Sequence, residues 1–92
     1  MDTLINDCLE VMNLINQEFP SQKQYAGIIK NIYDIVDQIL YFAKKDEVLD
    51  KNINWDSLVR QFVDETTQYR SPIILGLERI KDDLTLMQET TK

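Results

Sequence analysis

Carboxylates are the side chains in this chain that are numerous enough, and close enough together, to do chemistry. Histidine is absent and cysteine occurs once, which excludes catalytic triads, Cys-His dyads, histidine-containing metal sites and multi-cysteine zinc sites. Acid–base or metal chemistry would therefore depend on paired acids. The pairs are Asp82 with Asp83, Asp34 with Asp37, and Glu78 with Asp82.

Each acidic pair is better explained as solvated surface. Neighbouring residues on a helix point about 100° apart, so Asp82 and Asp83 do not converge unaided on one ion. The other pairs face away from the apolar stripes of their helices, whereas a bundle that holds two metals turns Glu-x-x-His pairs inward. Lys30 and Asp34 have the spacing of an ordinary surface ion pair. We therefore expect no catalytic residue, no metal site and no cofactor, and we expect that the chain is not an enzyme.

The net charge excludes further classes of ligand. Sixteen Asp and Glu against ten Lys and Arg give a net charge of −6. This is the wrong sign for neutralising nucleic-acid phosphates, and it would repel an anionic membrane. No apolar run approaches the ~20 residues that span a bilayer. The first residues contain no basic region, hydrophobic stretch or cleavage site, so we expect a cytoplasmic protein.

Hydrophobic periodicity divides the chain into four amphipathic helices, because apolar residues recur every three or four positions. Capping and turn residues set the boundaries: Asp2 or Thr3, Pro20, Ser21, Asn54 and Ser71-Pro72. The predicted helices cover residues 3–19, 22–45, 55–70 and 72–88. Residues 46–54 form a connection, whose apolar members we expect to fold back over the end of the core. These members are Val48, Leu49 and Ile53.

Short connections between helices favour antiparallel neighbours. We therefore predict an all-α fold, an antiparallel up-down-up-down four-helix bundle, as a single domain over residues 1–92. The most buried side chains should include those at the centres of the stripes, Phe62, Ile32, Ile39 and Ile80. The alternative is a three-helix domain whose first helix packs against another subunit, which would remove a well-defined apolar stripe from the core.

Several residues inside the helices have roles that packing explains. Cys8 shares the spacing of the first apolar stripe, so we expect a small buried core residue and not a reactive thiol. Gly27 and Gly76 stand alone in helical patterns, unlike the clustered glycines of a phosphate loop, and should permit close backbone approach. Thr66 lies on the apolar face of the third helix, where its hydroxyl should bond the carbonyl of Phe62.

The feature that indicates a function lies on the outer surface. Counting 100° per residue, the fourth helix has a second stripe, opposite its core stripe, with apolar ends and a charged middle. Its residues are Leu75, Arg79, Asp82 and Leu86. Leu14 lies opposite the core stripe of the first helix, and Tyr41 is turned away from the core of the second. Isolated exposed leucines are normal on a monomer, but a coherent stripe is typical of a protein contact surface.

These features favour a small acidic interaction module, regulatory, adaptor or neutralising, that binds a protein partner or a second copy through its first and fourth helices. A more specific version is a toxin antagonist or bacteriocin-immunity-type protein that covers a basic partner with its acidic surface. A hypothesis from another class is a helical scaffold that binds an apolar small ligand between helices. Trp55, Phe62 and Tyr69 would then line a cavity instead of filling it.

Overall fold

Four α-helices follow one another along the part of the chain that the structure describes. The computed structural model describes residues 2–21, 27–47, 53–67 and 70–90, the last four of them without their side chains. The helices are α1 (Asp2–Glu18), α2 (Ile28–Lys44), α3 (Trp55–Thr66) and α4 (Pro72–Thr90). Helices α1 and α4 differ from their predicted bounds by only one or two residues.

Each helix packs against its two neighbours in a ring. Helix α1 contacts α2 and α4, and α3 contacts the same two helices from the opposite side. The predicted up-down four-helix bundle is confirmed. The three-helix alternative is wrong, because α1 places four apolar residues in the shared core, namely Leu4, Cys8, Val11 and Ile15.

The core contains the residues at the centres of the predicted stripes. Phe62, Ile32, Ile39 and Ile80 are each at most 1% exposed, which confirms their predicted burial. The ring of Phe62 meets that of Phe19 edge to face, with centroids 6.1 Å apart, an arrangement that favours the aromatic pair beyond its buried area. Ile53 packs against the core as predicted, whereas Val48 and Leu49 lie outside the described residues.

Two helix starts follow directly from local sequence. The Asn54 side chain accepts a hydrogen bond from the Ser57 amide at 3.0 Å, which satisfies a donor that the first turn of α3 leaves free. Ser71 Oγ accepts from the Ile73 amide at 3.2 Å, and Pro72 occupies the first position of α4, where its missing N–H has no consequence. Both predicted caps are confirmed.

The predicted start of α2 and the predicted end of α3 are wrong. Gly27 precedes α2 with φ 158° and ψ −177°, so no continuous helix runs from residue 22 to residue 45. Ser21 lies in a turn, and Tyr25 is outside the described residues. Helix α3 ends at Thr66 and not at Arg70, because Thr67 adopts the left-handed conformation, with φ 57°, and its amide bonds the Val63 carbonyl.

Gly76 has the packing role that the sequence predicted. A Cβ built at this position would overlap Val11 Cγ2, so the backbone of α4 approaches α1 as closely as it does only because residue 76 has no side chain. The predicted hydroxyl bond of Thr66 is also present, with Oγ1 donating to the Phe62 carbonyl at 2.7 Å. The contact at Gly76 sets how the outer surfaces of α1 and α4 join.

Candidate interaction surface

The outer surfaces of α1 and α4 join along a seam whose register two contacts define. Val11 lies against Gly76, and Arg79 Nη1 donates to Glu10 Oε2 at 3.5 Å. Because the helices run antiparallel, one turn forward on α1 corresponds to one turn back on α4. Leu14, one turn after Glu10, therefore lies at the same level along the seam as Leu75, one turn before Arg79.

The predicted outer stripe of α4 lies at the surface. Leu75 is 56% exposed and Leu86 is 60% exposed, and Arg79 and Asp82 between them are also exposed. The two leucines are three turns apart, about 16 Å along the helix axis. The stripe thus has two apolar ends and a charged middle, at positions that the core does not use. We call it, together with Glu10 and Leu14, the α1–α4 face.

Leu14 lies at the edge of this face and not at its centre. It is partly buried and packs against the core, contrary to the expectation that it lies opposite the core stripe. The reason is the position of the core stripe of α1, which includes the buried Val11. Leu14 is three residues after Val11 and so only about 60° around the helix from it.

Arg79 is held across the seam by Glu10. Both side chains are exposed, so this ion pair contributes little to stability. Its effect is positional, because it keeps a guanidinium between the two exposed leucines of the α1–α4 face. Glu10 was not among the predicted contact residues. The antiparallel register of α1 and α4, which places Glu10 beside Arg79, is the signal that could have identified it.

A groove of about 380 Å³ opens between α3 and α4 on the other side of the stripe. Its walls include Trp55 and Val59 from α3 and Leu77 from α4. Its charged lining residues are Asp56, Arg60, Glu78, Lys81 and Asp82. Asp82 thus belongs both to the groove and to the α1–α4 face. Residue spacing did not predict this groove, because its width depends on how far α3 lies from α4.

Comparison of this chain with models of protein families, with curated proteins and with solved structures finds no match. The function is therefore argued from the chain's own residues. Within the part of the chain that the structure describes, no helix is both long and apolar enough to cross a membrane.

The acidic residues differ in their surroundings. Asp34 is exposed and pairs with Lys30 at 2.6 Å, which confirms the predicted surface pair. Asp82 is exposed as predicted, but Asp83 is only partly exposed, and its Oδ2 is buried. Burial, then a hydrogen bond with Asp7, then the charges of Asp7 and Asp82 raise the pKa of Asp83 to about 6. No cluster of three potential metal ligands is found in residues 2–21, 27–47, 53–67 and 70–86.

Cys8 is fully buried, and the charges of Asp7 and Asp83 act on it. Burial, followed by the negative charges of Asp7 and Asp83, raises the pKa of its thiol to about 12. The thiol therefore stays protonated at neutral pH, and a protonated, enclosed thiol is a poor nucleophile. This agrees with the predicted role of Cys8 as a small core residue.

Two further exposed apolar residues lie away from the α1–α4 face. Tyr41 on α2 is 56% exposed, and Leu9 on α1 is 41% exposed. The Tyr41 hydroxyl accepts from Lys45 Nζ at 2.6 Å, and the ammonium lies 4.2 Å from the ring centroid. Leu9 is about 100° around α1 from Glu10, on the flank away from Leu14. These two residues are matched comparison sites for Leu75 and Leu86.

Proposed function

We propose that this protein is a non-catalytic interaction module that binds a protein partner, or a second copy of itself, through the α1–α4 face. The observation that supports the proposal is the pair of leucines, Leu75 and Leu86, that are more than half exposed on one helical stripe. Such residues form anchors one or more turns apart when a helix binds a partner. Arg79 and Asp82 between them supply charge for specificity.

The energy available from this face suits reversible binding. Fully burying a leucine contributes about 1.5–3 kcal/mol, and a little over half of each side chain remains exposed here. The two leucines together would therefore contribute about 2–3 kcal/mol, or roughly 30- to 150-fold in Kd. Removing them should weaken association measurably without touching the core.

The test is the double variant Leu75→Lys, Leu86→Lys. We expect unchanged helicity and an unchanged unfolding midpoint, with loss of self-association in sedimentation or of binding to a captured partner. The matched control is Leu9→Lys, Tyr41→Lys, which introduces the same charges at exposed apolar positions away from the face. Equal loss in both variants would show a nonspecific effect of charge. Unchanged association in the first variant would refute the proposal.

A neutralising protein is the more specific version of this function. It is supported by the net charge of −6 and by exposed acids on the face and next to it, including Asp82 and Glu78. An acidic surface steers a basic partner toward it, and salt screens that attraction. If the partner is basic, the association rate should fall steeply with ionic strength, whereas a second copy of this acidic chain should associate more readily as salt rises.

A ligand-binding scaffold is the second candidate, and the groove between α3 and α4 favours it. Trp55 forms part of the wall and is the single tryptophan of the chain, so its fluorescence reports on the groove directly. Phe62, in contrast, is fully buried against Phe19 and is not among the residues that line this groove, and Tyr69 lies outside the described residues. Titration with the apolar dye ANS should change Trp55 emission in the unaltered protein but not in Val59→Arg. No change in either would refute this function.

A further inference from the structure

One carboxylate oxygen in the α1–α4 seam is buried without a partner. Asp83 Oδ2 has no solvent exposure and forms no hydrogen bond with any described residue. In the ionised carboxylate, Oδ2 lacks both water and a donor, which costs free energy. A proton on the carboxyl removes the charge and supplies a donor.

Asp7 is the group that meets Asp83 across the seam. Asp7 lies one turn before Glu10 on α1, and Asp83 lies one turn after Arg79 on α4, so the antiparallel register brings the two carboxyls to the same level. Two carboxyls at the same level can form a hydrogen bond only when one of them carries a proton, and such a bond with Asp7 is among the causes that raise the pKa of Asp83.

We propose that Asp7 and Asp83 share one proton across the α1–α4 seam and thereby make the packing of these two helices dependent on pH. The proposal concerns the fold itself and holds whether or not the α1–α4 face binds a partner. At pH values below the midpoint at which the proton is lost, the shared proton joins the two helices by a hydrogen bond. Above it, two negative charges face each other in a partly dry seam, which loosens the contact.

The other titratable groups around the pair are few. From α1 the buried Cys8 thiol lies beside it, and from α4 the exposed Asp82 lies next to it. Burial raises the pKa of Asp83 first, followed by the hydrogen bond and charge of Asp7 and the charge of Asp82, and the positive amino terminus partly opposes these effects. The pKa of Asp83 is about 6 in the folded protein, against an ordinary value of 3.8.

Because the pKa of Asp83 is raised in the folded state, the sign of the change in stability with pH can be stated. Between about pH 4 and pH 6 the folded state binds more protons than the unfolded state, so this pair makes the protein less stable as pH rises through that window. Above pH 6 the loss is complete and constant. This is opposite to an ion-paired aspartate, which stabilises the folded state as pH rises.

Carbon-13 carboxyl NMR on the unaltered protein tests the shared proton directly. We expect one aspartate step with a midpoint near pH 6, assigned to the pair by its loss in Asp83→Asn. In Asp7→Asn the midpoint of Asp83 should fall toward its ordinary value, because an amide donates to an ionised carboxylate. In Asp82→Asn, the matched control, the midpoint should stay well above the ordinary value. A midpoint near pH 4 in the unaltered protein would overturn the proposal.

Denaturant unfolding supplies the second measurement. Relative to the unaltered protein, Asp83→Asn should have a higher unfolding midpoint at pH 7.5, and the difference should disappear or reverse at pH 4.5. Asp82→Asn should show no such reversal, because its carboxylate is exposed. A difference between Asp83→Asn and the unaltered protein that is the same at both pH values would contradict a titrating pair in the seam.

Discussion

Helices α1 and α3 face each other across the bundle, and they bury their apolar residues to different extents. In α1, Leu4, Cys8, Val11 and Ile15 are each at most 1% exposed. In α3, only Phe62 reaches that level among the described residues, and the other apolar side chains of the helix are partly buried. These are Trp55, Leu58, Val59 and Val63.

The difference shows that an amphipathic stripe determines which side of a helix faces inward but not how closely its neighbours approach. Helix α1 packs closely because Gly76 lets the α4 backbone approach Val11. Helix α3 is shorter, at 12 residues against 17 for α1, and a groove separates part of it from α4. Besides these partly buried side chains, α3 is held in the bundle by the buried Phe62 and by a hydrogen bond from the Ile28 amide to Glu65.

The largest effect is expected from Phe62→Ala. Phe62 is fully enclosed and stacks edge to face on Phe19, so truncation removes buried area and leaves a cavity. We expect a loss of about 3–5 kcal/mol in the free energy of unfolding, measured by urea denaturation. Val59→Ala, in the wall of the open groove, should cost clearly less. Similar losses for the two variants would mean that α3 is packed as uniformly as α1.

The next largest effect is expected where α1 and α4 pack closely, at Gly76. Gly76→Ala improves helix propensity by about 1 kcal/mol, but the new Cβ overlaps Val11 Cγ2. Overpacking of this kind costs about 1–3 kcal/mol, so we expect a net loss of stability. In a Val11→Ala background the same substitution should become neutral or stabilising. A double-mutant cycle measures this coupling, and additive effects would show that Val11 does not set the helix separation.

Local signals in the sequence predicted much of the fold correctly. Asn54, Ser71 and Thr66 bond to groups within four residues of themselves, so their roles can be read from spacing alone. The exposure of Leu75 and Leu86 was likewise predictable, because it depends on the direction in which one helix faces the core.

Some features that the sequence did not predict depend on a second helix. The burial of Asp83 Oδ2 is one of them, because a helical wheel for α4 contains no information about the helix beside it. The start of α2 is a further example. Gly27 interrupts the helical pattern, and the amide that follows it is bonded by Glu65, 37 residues away, a distance over which residue spacing predicts nothing.

The smallest effect is expected from removing that contact between α2 and α3. The Ile28 amide donates to Glu65 Oε2 at 3.0 Å, so a carboxylate of α3 satisfies a free donor in the first turn of α2 and interacts favourably with its dipole. Glu65→Ala should cost about 1 kcal/mol, the usual loss for a side-chain cap, and should speed hydrogen exchange of the Ile28 amide. Asp64→Ala is the matched control, because it removes an adjacent exposed charge that caps nothing in α2, and Glu65→Gln should retain part of the effect because its carbonyl still accepts. If Glu65→Ala and Asp64→Ala change stability equally and exchange at Ile28 is unaltered, Glu65 does not hold α3 against α2, and the attachment of α3 depends on its apolar side chains, Phe62 foremost.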